Sequence, residues 1–132
     1  GADLAMTQMF FDNDVYLRSR DRVAARRIDV PVVPGVFPIH SFEAVARFAG
    51  RCGATMPAAL ADAFAGVADD AATATELAAD LAALQVAQLV SEGVDHVHLY
   101  TLNKADLALA VCDRLGVAAP SATSPTPPRE YR

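Results

Sequence analysis

The sequence predicts an α/β fold built on a parallel sheet, and three observations carry that prediction. Extended apolar stretches alternate with stretches of helical periodicity three times along the 132 residues. The extended stretches are apolar on both faces, as parallel strands are when both sides are covered. Hydrophobic residues make up 53% of the chain, which is enough for a packed core and too many for intrinsic disorder.

The first strand is expected over residues 4–11, "LAMTQMFF". Alternation puts Met6, Gln8 and Phe10 on one face and Thr7, Met9 and Phe11 on the other. Asp12 or Asn13 can cap a helix running to about Arg26. Residues 29–37, "DVPVVPGVF", form a Val-rich second strand. Pro31 stands near its start, where a missing donor costs least, and Pro34-Gly35 is expected to bend the chain at or near its end. Ser41 caps a helix to Cys52, with Phe42, Val45, Ala46 and Ala49 at helical spacing and Gly53 as the stop. A short helix follows from Pro57 to Phe64, with Pro57 in its first turn. A long helix from about Ala72 to Glu92 carries Leu77, Leu81, Leu84 and Leu89 as its apolar face, and Gly93 ends it. Residues 96–102 form the third strand and 104–115 the last helix, closed by Gly116. The domain is expected to span residues 1–118. The remainder, 119–132, is rich in Pro and Ser and reads as a disordered tail.

Three parallel strands make a poor domain alone, because one face lacks cover and both edges stay open. A (β/α)₈ barrel needs about 250 residues, so three βα units are less than half of one. The chain therefore reads as a piece of something larger, either part of an enzyme or a non-catalytic α/β piece that only binds or assembles with a partner. Open apolar edges predict association, with the missing part or as a homo-oligomer.

Composition narrows the function classes. A net charge of -5 gives no basic surface for nucleic acid. Arg18, Arg20, Arg22, Arg26 and Arg27 are spaced among acids as a solvated helix face. No apolar run approaches the roughly 20 residues that span a bilayer, and no cationic, apolar and small-residue series of the signal-peptide kind marks the first residues given. Cys52 and Cys112 stand apart, outside any C-x-x-C pair, and read as buried free thiols in a cytoplasmic protein. No phosphate loop, dinucleotide fingerprint or Ser/His/Asp order is present.

Barrel enzymes place their chemistry at the C-terminal ends of strands, and polar residues stand there in this chain. Gln8 could pair its amide with a planar amide-bearing ring, or be satisfied by neighbouring backbone. Along "HLYTLNKAD", residues 98–106, His98 and Tyr100 share a face, with Tyr100 nearer the mouth. His98 lacks a second ligand at metal spacing and reads as a hydrogen-bonded core histidine. Asn103 can cap the last helix. Lys104 sits at that helix's start, where the dipole disfavours a cation unless it reaches toward an anion. Phe64 is either a core residue or a stacking surface.

Four stretches together, "TQMFFD", "DVPVVPGVFPI", "FAGRCGATMPAALADAF" and "HLYTLNKAD", resemble the C-terminal part of the methylenetetrahydrofolate reductase family over about residues 1–117. That resemblance implies strands six to eight of a (β/α)₈ barrel that binds FAD non-covalently. It implies reduction of 5,10-methylenetetrahydrofolate to 5-methyltetrahydrofolate with NADH or NADPH, in two half-reactions through reduced flavin. By the same resemblance Gln8 matches the glutamine at the folate pterin, Phe64 the aromatic that stacks on folate or nicotinamide in turn, and Tyr100 and Lys104 positions near the substrate mouth. Lys104 replaces the arginine usual there, which removes a bidentate contact. Met6 falls where an apolar residue packs on the flavin. The acid that protonates the folate and most FAD contacts would lie on the missing N-terminal barrel half, so no catalytic residue and no metal ligand is assigned within this chain.

Overall fold

The computed structural model describes residues 1–117. Along the chain run β1 (Ala5–Met9), α1 (Asn13–Ala25), β2 (Val32–Val36), α2 (Phe42–Arg51), α3 (Ala58–Ala65), α4 (Ala71–Ser91), β3 (His98–Leu99) and α5 (Ala105–Arg114). The three strands form one parallel sheet in the order β1-β2-β3. The tail expected over 119–132 lies outside the described residues.

Local chemistry sets most of the helix boundaries. The Asp12 side chain accepts from the Asp14 N–H and starts α1. Asp70 accepts from the Thr73 N–H and hydroxyl and starts α4. Gly53, Gly93 and Gly116 follow the ends of α2, α4 and α5 with φ of +72°, +83° and +68°, a conformation that glycine adopts without a Cβ clash. Ser41 occupies the N-cap position of α2, but its hydroxyl makes no capping bond.

Helix α4 lies against β2, α1 and α5. Its buried side chains are Ala78, Ala79, Ala82, Ala83, Val86 and Leu89. The expected leucine face holds in part: Leu89 is buried and Leu77 and Leu81 pack against the core, but Leu84 is 54% exposed, and alanines fill most of the fully buried positions. Small side chains let α4 and the elements it packs on approach closely, which leucines at the same positions would prevent. Polar ties fix its register. Gln85 donates to the Phe10 carbonyl, and the Asn13 amide donates to the Gln85 carbonyl and Gln88 Oε1. Tyr16 stacks on Phe10 at 5.6 Å and donates to the Val32 carbonyl at 2.8 Å, joining α1 to β2.

The strands depart from expectation in two ways. The regular part of β3 is only His98–Leu99, although the Tyr100 N–H still reaches the Val36 carbonyl at 2.9 Å. Beyond it, Leu102 and Asn103 both have positive φ, +44° and +61°, and the Lys104 N–H bonds the Thr101 carbonyl. This is a tight turn of the primed type, so Asn103 is a turn residue and Lys104 takes the N-cap position of α5 without a side-chain bond.

The second departure is that Pro34-Gly35 does not bend the chain out of the sheet: both residues lie within β2, and Gly35 pairs with Met9 and His98. Met6 pairs with Val33 and Met9 with Gly35, so Thr7 and Gln8 together stand against Pro34. The Gly35 N–H faces β1 and the Val36 carbonyl faces the β3 side, so by alternation the donor that Pro34 lacks falls on the β3 side, where the pairing begins only at Gly35. The extra residue in β1 is a bulge in its pairing with β2.

Candidate active site at the strand ends

Three groups at the bulge are met by side chains. The Gly35 N–H donates to Thr7 Oγ1 at 2.9 Å. The Tyr100 hydroxyl crosses from beyond β3 and donates to the Thr7 carbonyl at 2.9 Å. The Met9 N–H donates to Gln8 Oε1 at 3.0 Å. Tyr100 reaches Thr7 because Gly35 lies beneath its ring: a Cβ on Gly35 would sit 2.5 Å from Tyr100 Cε2 and 2.8 Å from the Thr7 oxygen.

Hollows line these strand ends in a row. One of about 520 Å³ includes Gln8, Phe11, Asp12, Cys52, Thr55 and Pro57 in its lining. The next, about 440 Å³, shares Phe11, Asp12 and Pro57 with it and adds Asn13, Phe37 and Leu60. A narrow groove follows, sharing Phe37 and including His40, Tyr100, Leu102 and Lys104. The two larger volumes fall in the range of small-molecule sites. Apolar side chains alternate in the wall with polar ones, among them Gln8, Asp12, Asn13, Thr55, Gln85 and Gln88.

Each expected site residue can now be placed. Gln8 is exposed, and its Oε1 faces the Met9 N–H, so its Nε2 remains available to a ligand. Met6 is 53% exposed on the open edge strand, beside the exposed Leu4. Tyr100 is half-buried, its hydroxyl engaged by Thr7 and its ring edge-on to His98 at 4.6 Å. Lys104 is exposed in the groove with His40. Burial first, and then the Lys104 charge, hold the His40 imidazole below its ordinary value, so its neutral form is favoured there.

Phe64 is the exception. It is buried at 6% exposure and stacked on Phe42 at 5.6 Å. The structure puts it in the core, not on the exposed surface that ring stacking with a ligand requires, and it lines none of the three hollows. The structure thus brings Gln8 and Tyr100 together through Thr7, sets Lys104 beside Tyr100, and leaves Phe64 apart.

Sequence reasoning missed Thr7 and Gly35. No local signal marks them, because the contact between them exists only once β1 is paired with β2 and carries its bulge. Among the described residues no cluster of three metal-ligating side chains is present, and no helix is long and apolar enough to cross a membrane.

Comparison with known proteins converges on one family. A family model described as methylenetetrahydrofolate reductase matches residues 1–116. The 5,10-methylenetetrahydrofolate reductase of Escherichia coli (strain K12) is 43% identical over 117 residues, covering 89% of this chain and 40% of that protein. The protein of the same name from Pectobacterium carotovorum subsp. carotovorum is 42% identical over 117 residues, 39% of its length. Methylenetetrahydrofolate reductase (NADH) 1 of Arabidopsis thaliana is 32% identical over 117 residues, 20% of its length. The chain spans about 40% of the length of the bacterial relatives it matches.

Proposed function

This chain belongs to the methylenetetrahydrofolate reductase family, and from that membership we propose that it supplies the C-terminal three βα units of a (β/α)₈ barrel reducing 5,10-methylenetetrahydrofolate to 5-methyltetrahydrofolate with NADH or NADPH. The parallel order β1-β2-β3 and the open edge of β1 support the barrel. In this reading the preceding units complete the barrel against that edge, and the acid that protonates the folate comes from them.

The observation that carries the reading is Gln8. Its amide is exposed at the C-terminal end of a strand, beside a hollow of substrate size. In the proposed role Gln8 Nε2 donates to the folate ring and orients it. Lys104, beyond Tyr100, offers a cation to an acidic part of the ligand, as a point charge rather than a fork. Tyr100 closes the floor between them.

A flavin fits this chain in part. Met6 and Leu4 give an exposed apolar surface against which one edge of a tricyclic ring can pack. The chain has no glycine-rich phosphate loop, so the phosphate contacts of FAD fall to the preceding units. When bound, FAD supplies a two-electron carrier between the nicotinamide and the folate. The residues here bind and orient the substrate and exclude water from one side of the pocket.

The test is Gln8→Ala in the flavin-loaded enzyme. Flavin occupancy should be retained, and folate affinity should fall by about the value of one or two hydrogen bonds, roughly 1–3 kcal/mol. Unchanged binding of 5-methyltetrahydrofolate would remove Gln8 from the site.

A further inference from the structure

We infer that Thr7 and Tyr100 are positioning residues, holding the β1 bulge that presents the Gln8 amide to the folate. This rests on the Gln8 reading above and adds to it two groups that act on the ligand through Gln8.

Between Met6 and Met9 the pairing of β1 with β2 carries a bulge, and Thr7 and Gln8 share one partner position, Pro34. Closing that bulge would shift β1 by one residue against β2, and each side chain on the shifted side would turn to the opposite face of the sheet. Thr7 opposes closure on both sides of its own backbone. Its hydroxyl takes the Gly35 N–H, and its carbonyl is taken by Tyr100. The next residue is Gln8, and its Oε1 rests on the Met9 N–H, immediately beyond the bulge. The direction of the Gln8 amide is therefore set by a bulge whose fastening is Thr7. Gly35 completes the device by leaving room for the Tyr100 ring.

A threonine whose hydroxyl merely satisfied a stray N–H would affect stability alone. A positioning threonine must also affect the ligand, and only while Gln8 is present. The experiment is a double-mutant cycle of Thr7→Val and Gln8→Ala in the flavin-loaded enzyme. The readouts are the Kd of 5-methyltetrahydrofolate by calorimetry, flavin occupancy and the melting temperature. Thr7→Val should weaken binding about fivefold to tenfold, in line with a disturbed hydrogen bond, with flavin occupancy unchanged. Thr7→Ser, which keeps the hydroxyl, should restore it. On the Gln8→Ala background, Thr7→Val should add no further loss.

Should Thr7→Val fail to fold, Tyr100→Phe takes its place in the cycle, since it keeps the ring over Gly35 and releases only the Thr7 carbonyl. A folate-selective loss that vanishes without Gln8 supports the inference. Thr7→Val or Tyr100→Phe losses that persist undiminished on the Gln8→Ala background overturn it and leave the Gln8 reading standing. A Gln8→Ala enzyme with unchanged affinity overturns both.

Discussion

The two ends of β2's neighbourhood are held by different means. Along α4 and α5, which pack on each other, burial falls on small and branched apolar residues: Ala79, Ala83 and Leu89 on α4, Leu107 and Val111 on α5, while Ala78 and Ala82 face one of the strand-end hollows. The only ion pairs between these two helices, among the described residues, join Arg114 to Glu76 and Asp80 at the exposed surface, where solvent screening leaves little net stabilisation. At the strand ends, by contrast, individual hydrogen bonds from Thr7, Gln8 and Tyr100 replace a regular ladder. Burial is spread over many contacts, so the helix pair tolerates small adjustments. The strand ends depend on single groups with defined directions. Stability and ligand geometry are thus expected to respond to different substitutions.

The largest expected effect tests the helix pair alone. Leu89 is fully buried at 0% exposure near the end of α4. Leu89→Ala should cost about 2–5 kcal/mol, through lost transfer energy and the cavity left behind. A thermal melt measures this. Ligand affinity, taken at a temperature where the variant is folded, should match the parent. A folate-selective loss in Leu89→Ala would break the division between the two regions.

A smaller stability effect with a larger effect on the ligand is expected at Gly35. Its replacement by alanine puts a methyl group 2.5 Å from Tyr100 Cε2 and 2.8 Å from the Thr7 carbonyl oxygen. The ring must move, and the backbone oxygen can yield only if the bulge changes shape. Gly35→Ala should therefore cost about 1–3 kcal/mol as an overpacked site, and it should weaken 5-methyltetrahydrofolate binding. Calorimetry beside a melt separates the two. A destabilised variant with parental affinity would show that the bulge and the ligand site are independent.

The contrast between regions also explains what was legible in the sequence. Asp12, Gly53, Gly93 and Gly116 mark helix ends by chemistry confined to a few neighbouring residues, and the structure uses each of them that way. The parallel order followed from strand–helix alternation. Pro34-Gly35 misled because a Pro-Gly pair ordinarily signals a turn. Its place within β2 follows from the pairing of Gly35 with Met9 and His98, both distant in sequence. Leu84 misled because leucine spacing alone cannot say which stripe of an Ala-rich helix faces inward. Phe64 reads by default as a core residue on its own chemistry and as a ligand-stacking one by resemblance, and its burial against Phe42 follows the first. The polar character of the strand ends was visible in Gln8, Tyr100 and Lys104. The links among them were not, because Thr7 and Tyr100 are 93 residues apart in sequence.

The smallest expected effect lies at the start of α4 and is set by pH. The Asp70 carboxylate accepts from the Thr73 hydroxyl at 2.6 Å and the Thr73 N–H at 3.0 Å. The Thr73 hydroxyl first, and then its N–H, hold the Asp70 carboxyl below its ordinary range. A carboxyl whose folded value is depressed binds its proton less readily in the folded state than in the unfolded one. Its contribution is therefore complete above the unfolded value, about pH 4, and is lost as pH falls through the folded value. Asp70→Asn keeps a capping oxygen and removes the titration. The melting temperature of the parent should exceed that of Asp70→Asn at neutral pH, and the gap should narrow as the pH is lowered below about 4. Folate affinity should be the same in both at neutral pH, because Asp70 lines none of the strand-end hollows. A gap that stays constant with pH would mean that the cap acts through its geometry and not its charge. A shift in affinity would tie the start of α4 to the strand ends and erase the division drawn between them.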